Sequence, residues 1–191
     1  MTGTRALPAA TAELFLLRLA PGSFANGGYF QANAETGDKR SVGSCASLCE
    51  LETALAASDA GATEQALHRI LLGHALIASF GGVPLIYMGD EIGLLNDHSY
   101  ERNPDLAQDS RWMHRPEMDW ARAERRHGAA SIEGRLFAGL KHILARRAAT
   151  PHIHAANPTE VLDLGIDGIF AFARPALSAR WFVCSISPTA G

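Results

Sequence analysis

The run Gly82-Val83-Pro84-Leu85-Ile86-Tyr87-Met88-Gly89-Asp90-Glu91-Ile92-Gly93 constrains this chain more than any other stretch. Val83 to Met88 is continuously apolar and of strand length, the pattern expected of a parallel strand buried on both faces. A helical pattern precedes it. Leu67, Ile70, Leu71, His74, Ala75 and Ala78 form one stripe after Thr63, a candidate N-cap, and Gly81-Gly82 stops the helix near Phe80. Helix, double glycine and buried strand together read as an α/β unit. The strand ends at Gly89, and two carboxylates, Asp90 and Glu91, follow at once.

The rest of the chain supplies the frame. Residues 1–20 are rich in Ala and Leu and read as a helix stopped by Pro21-Gly22. Residues 21–44 are dominated by Gly, Asn, Ser and Thr and read as a long loop, with a turn signal at Glu35-Thr36-Gly37-Asp38. Ser44 to Ala57 reads as one helix, with Leu48, Leu51 and Leu55 at helical spacing. Residues 94–116 read as a second loop. Ser131 caps a helix from Ile132 to about Ala149, whose basic end, Arg146 and Arg147, suits the helix dipole. Beyond Pro151, Val161–Leu164, Gly168–Arg174 and Trp181–Ile186 read as short antiparallel strands.

Composition removes several function classes. The chain has 191 residues, 47% of them hydrophobic, and a formal net charge of -3. That suffices for a globular core and offers no dense basic patch for nucleic acid. The run Arg122–His127 mixes signs and reads as a solvated helical face. No apolar run is long enough for a signal peptide or a membrane span. Cys45, Cys49 and Cys184 are odd in number, and the pair four apart has no further ligands at zinc-site spacing. Reduced cysteines in a cytoplasmic protein are expected. His68 and His74 lie six apart, and His152-Ile-His154 lacks a suggestively placed carboxylate or cysteine. Neither a metal nor a cofactor is expected. No phosphate-binding glycine loop, nucleophile elbow or H-E-x-x-H sequence occurs.

Three constellations remain. Asp90-Glu91 follows a strand end, where α/β barrels collect their active sites. Such carboxylates can bind sugar hydroxyls, pair with an Arg, or only hold a turn. Asp109-Ser-Arg111-Trp112 combines a planar guanidinium with an indole face; its plain alternative is a surface ion pair beside a packed Trp. Asp38-Lys-Arg40 in the early loop reads, taken alone, as a solvated turn.

Taken together, these words resemble the amylosucrases, transglucosidases of the α-amylase superfamily. The matching segments are Pro21-Gly-Ser-Phe-Ala25, Thr36-Gly-Asp-Lys-Arg40-Ser-Val-Gly43, Gly81–Gly93, Leu95-Asn-Asp97 and Asp109-Ser-Arg-Trp112-Met-His-Arg-Pro116. The block around Gly89-Asp-Glu is shared by many α-amylase relatives; the Ser-Arg-Trp-x-His-Arg-Pro block is much more particular. The resemblance implies a piece of a (β/α)8 TIM barrel over residues 1–150, with an inserted loop region at about 21–60. It implies that residues 151–191 begin a C-terminal β-sandwich. It also implies a retaining transfer of glucosyl from sucrose to an α-1,4-glucan, with fructose released and no cofactor. Arg111 then corresponds to a pocket-closing Arg whose Asp partner should precede Met1. Asp90, Arg40 and Asp38 become candidate sugar contacts.

The departures are large. A complete barrel needs about 250 residues. A retaining glycosidase needs a nucleophilic and an acid/base carboxylate about 5–5.5 Å apart. The family's Arg-x-Asp-Ala nucleophile motif and its His-Asp pair are both missing from this sequence, and so is the acid/base Glu. No catalytic residue is therefore assigned. The expectation is a fragment, inactive alone, with exposed apolar faces that favour self-association. The alternatives are a non-catalytic glucan-binding or interaction module and a fragment of another α-amylase-family hydrolase.

Overall fold

The computed structural model describes residues 29–32, 39–165, 169–175 and 181–186. The helix expected before Pro21, and Asp38, lie outside them. Strand β1 (Tyr29–Ala32) pairs antiparallel with β2 (Lys39–Val42), with Gln31 opposite Arg40. The region read as one long loop thus contains a pair of strands, and the turn signal falls between them in sequence.

The single helix expected from Ser44 to Ala57 is two, α1 (Cys45–Leu48) and α2 (Leu51–Ala56). The break is at Glu50, which takes a left-handed backbone with φ of 70°. Its carboxylate is held by Arg69 at 2.6 Å, and the bend lets Leu51 reach the core. Helix α3 (Ala60–Phe80) begins ahead of Thr63, because Asp59 is its cap and accepts from the Ala62 amide at 2.9 Å. Helix α4 (Trp120–Glu124) is one short turn within the charged run. Helix α5 (Ile132–Ala148) starts at the expected cap, Ser131, which accepts from the Gly134 amide at 3.0 Å. Leu51, Leu67, Ile70 and Leu136 form the centre of the main core, where α1, α2, α3 and α5 meet. Each such side chain contributes about 1.5–3 kcal/mol on burial.

Strands β3 (Glu160–Leu162), β4 (Phe170–Pro175) and β5 (Trp181–Ile186) form an antiparallel sheet in that order. Its central strand packs Phe170 and Phe172 against Phe80, with the Phe80 and Phe172 rings edge to face at 5.2 Å. Two cations close the C-terminal end of α3. Arg174, fully buried, donates to the carbonyls of Phe80 (2.8 Å) and His154 (2.7 Å) and to the Thr159 hydroxyl. Arg147 donates to the carbonyls of Ala78 and Gly82, the latter at 2.7 Å. Both sit where the helix dipole is negative.

The partial (β/α)8 barrel is corrected by these findings. The described residues form a small, helix-dominated mixed structure of five helices and two antiparallel sheets, with no parallel strand pair. Val83 to Met88 runs as irregular chain rather than strand. A buried parallel strand needs hydrogen-bonded neighbours on both sides; among the described residues no segment pairs with this run, and Pro84 removes one donor. Val83 and Leu85 are consequently 88% and 77% exposed. Among the described residues no helix is long and apolar enough to cross a membrane.

Candidate functional site

Gly89 and Gly93 bracket a single 3-10 turn, Asp90–Ile92, with φ of 94° and 64°. A side chain at either position would be strained by the backbone, and would also meet Leu94 at 2.5 Å or Leu136 at 2.6 Å. Ile92 anchors the turn in a small core with Leu94 and Ala123. From beneath, Arg122 donates to the Gly93 carbonyl at 2.9 Å while paired with buried Glu133.

This geometry turns the two acidic side chains to different tasks. Glu91 accepts from the Gly89 amide at 2.9 Å and so closes its own turn. Asp90 accepts from the Tyr87 amide at 3.3 Å and faces Nε2 of His74, on α3, at 3.3 Å. His74 is 2% exposed. Its Nδ1 lies 2.8 Å from the Ile70 carbonyl, which can only accept, so Nδ1 carries a proton and donates. The Asp90 carboxylate raises His74 to about 9; burial opposes this and the Ile70 carbonyl adds to it. In the absence of any other ligand the ring is an imidazolium at neutral pH.

Cys45 joins this pair. Its thiol, a carboxylate oxygen of Asp90 and a ring nitrogen of His74 all lie within 4.8 Å of one another. The Cys49 thiol is hydrogen-bonded to Cys45, and neither is in a disulfide. The hydrogen bond from Cys45 lowers Cys49, helped by the Arg69 guanidinium, and the same contact together with burial pushes Cys45 up. A Cys-His-Asp relay needs the two ring nitrogens of the His to serve different partners. Here Nδ1 is committed to Ile70, so only Nε2 remains for both the thiol and the carboxylate. The arrangement is suited to holding a cation, not to relaying a proton to a nucleophile.

Arg111 lies elsewhere, on the 3-10 helix Ser110–His114. Its Nε and Nη2 form a bidentate pair with Asp109, with contacts of 2.7–3.0 Å, and half of its side chain is exposed. The carboxylate holds Arg111 up, and Arg111 holds Asp109 at about 2. Met113 from this helix packs with Val42 and Tyr100, which brings the end of the Arg40 strand beside it. No ion pair joins Asp90 to Arg111. Asp38 lies outside the described residues, and of Arg40 only the strand position is described.

The expected sites therefore separate into the Asp90 turn and the Arg111 helix. The sequence reading missed His74 and the two cysteines as companions of Asp90. The one signal available was a histidine in the middle of an apolar helical stripe. A further feature is an apolar cleft of about 380 Å3, lined by Leu76, Ile77, Phe80, Gly81 and Phe170. Comparison with models of known protein families finds none that matches the chain.

Proposed function

We propose that this chain supplies donor-side and acceptor-side sugar contacts, without the catalytic carboxylates, to a sucrose-using α-glucan transglucosidase. The observation that carries most weight is the folding of the Asp109-Ser-Arg-Trp-Met-His-Arg-Pro words as one structural unit. Asp109 caps the 3-10 helix, and Arg111 projects from it half exposed, with Nη1 not engaged by the Asp109 pair. A planar cation held by a carboxylate, with donors left over, is chemistry suited to polyols. Arg111 is the leading contact in this proposal, with Asp90, Arg40 and Asp38 as further contacts. In this reading the chain adds no nucleophile. Asp90, Glu91 and Asp109 are each tied to internal donors, which removes them as an activated carboxylate pair. Unpaired Cys45 and Cys49 support a reducing cytoplasmic setting.

The test is to incubate the purified chain with sucrose and glycogen, and to titrate each sugar against it. No fructose release and weak glucan or sucrose binding, reduced by Arg111→Ala, are expected. Turnover above a matched blank would overturn the non-catalytic assignment; absence of binding to either sugar would overturn the sugar-contact role. The exposed Val83, Leu85 and Tyr87 favour a second reading, an interaction module that docks on a complementary polypeptide. Concentration-dependent mass by light scattering, relieved by Leu85→Ser, would support it.

A further inference from the structure

We propose that Cys45, His74 and Asp90 form a three-donor binding site for a zinc-like divalent cation. The three core donors come from separate elements. Cys45 is on α1, His74 past the middle of α3, and Asp90 on the turn after the apolar run, yet their ligand atoms converge within 4.8 Å. Convergence from elements 29 and 16 positions apart is a product of the tertiary fold, not of local chain geometry.

The histidine is oriented as a metal ligand requires. Ligating histidines donate their second ring N–H to a carbonyl or carboxylate, which fixes the tautomer and aims the free nitrogen at the ion. Nδ1–H of His74 makes this bond to Ile70 at 2.8 Å, and Nε2 is the nitrogen that faces Asp90. The ring is buried and cannot swing away without opening the core. One sulfur, one imidazole nitrogen and one carboxylate oxygen form a borderline-soft set suited to zinc and poorly suited to calcium or magnesium.

Charge and space are also consistent. One thiolate, a carboxylate and a neutral imidazole carry two negative charges, which a divalent ion neutralises. Bonds of about 2.0–2.3 Å imply ligand edges near 3.5 Å. Spacings of up to 4.8 Å therefore close by roughly 1 Å when the ion enters. The ion replaces the proton shared between His74 and Asp90, and the Cys45 thiol proton leaves to solvent.

The experiment uses the full chain, reduced with a phosphine and stripped with a chelator. Zn2+ is added, excess is removed by dialysis against a weak chelator, and bound metal is measured. Co2+ is then used as a spectroscopic probe. A single ion per chain is expected, with thiolate-to-cobalt charge-transfer bands and intense tetrahedral visible bands. Cys45→Ser and His74→Gln should each weaken zinc binding by more than the 10–100-fold typical of losing an outer-shell partner. Cys49→Ser should retain the ion with its charge-transfer band. No retained zinc in the unaltered chain would overturn the site, as would Co2+ spectra without a thiolate band; neither readout depends on whether a variant folds. Equal retention by the folded variants would assign the metal to surface histidines and overturn it as well.

Discussion

Arg122 donates through Nε to Glu133 Oε1 at 2.8 Å, and through Nη2 to the Gly93 carbonyl at 2.9 Å. Both side chains are largely out of water, with 14% and 7% exposed, and Arg125 adds a second cation at 3.1 Å. The pair therefore fastens helix α5 to the turn that carries Asp90. Removing one partner of a buried pair leaves an uncompensated charge, at a cost of about 3–5 kcal/mol. Glu133→Ala should lower unfolding free energy in urea by about that much. The double change Arg122→Met with Glu133→Leu should recover most of it. A loss under about 1 kcal/mol for Glu133→Ala would show that the pair is solvated.

The apolar run from Val83 to Met88 contributes little to the stability of the chain as it folds here. Leu85, 77% exposed, should tolerate Ser within about 0.5 kcal/mol. Leu67, 1% exposed, should lose about 2–5 kcal/mol on change to Ala. Urea denaturation of the two variants side by side provides the check. A large cost at Leu85 would mean that this run is covered in solution.

His74 binds its proton more tightly folded than unfolded, at about 9 against an ordinary 6.5. The stabilisation is thus fully present below pH 6.5, declines as pH rises from there, and is lost above 9. In metal-free protein, the stability difference between the unaltered chain and His74→Gln should shrink steadily across that window. A constant difference would show that Asp90 does not hold the proton on the ring.

Arg174 satisfies the carbonyls of Phe80 and His154 and the Thr159 hydroxyl with one planar group. Arg174→Ala should cost about 2–4 kcal/mol, since hydrogen bonds to charged groups contribute about 1.5–3 kcal/mol and buried acceptors are left open. Arg174→Lys should restore less than half, because a point charge cannot span three acceptors on two sides. Thermal melts of the three proteins decide it.

Helices α3 and α5 were legible because their signals are local. The stripe through Leu67, Ile70 and Ala78 marks α3, and Ser131 marks the start of α5. The three C-terminal strands fall close to the ranges their turn residues suggested. Thr63 failed as a cap because Asp59 offers a carboxylate one turn earlier, and the Thr63 hydroxyl bonds back to the Asp59 carbonyl at 2.7 Å. The strand at 83–88 failed for a non-local reason. An apolar run shows that a segment can be buried in a sheet, but not that pairing partners exist. The candidate site divided along the same line. Glycines around Asp90 announced a turn, whereas the convergence of Cys45 and His74 upon it depends on how α1 and α3 pack, which no spacing encodes.

The closure of α3 by Arg147 and Arg174 bears on the order in which this polypeptide can be completed. Phe80 leaves the ribosome long before Arg174, which lies 94 positions later in the chain. Until then the carbonyls at the end of α3 must be served by water, and the helix terminus frays. Final tightening of α3 therefore waits on segments made well after it, so a nascent chain halted before residue 147 should show α3 with its C-terminal turn unprotected against hydrogen exchange.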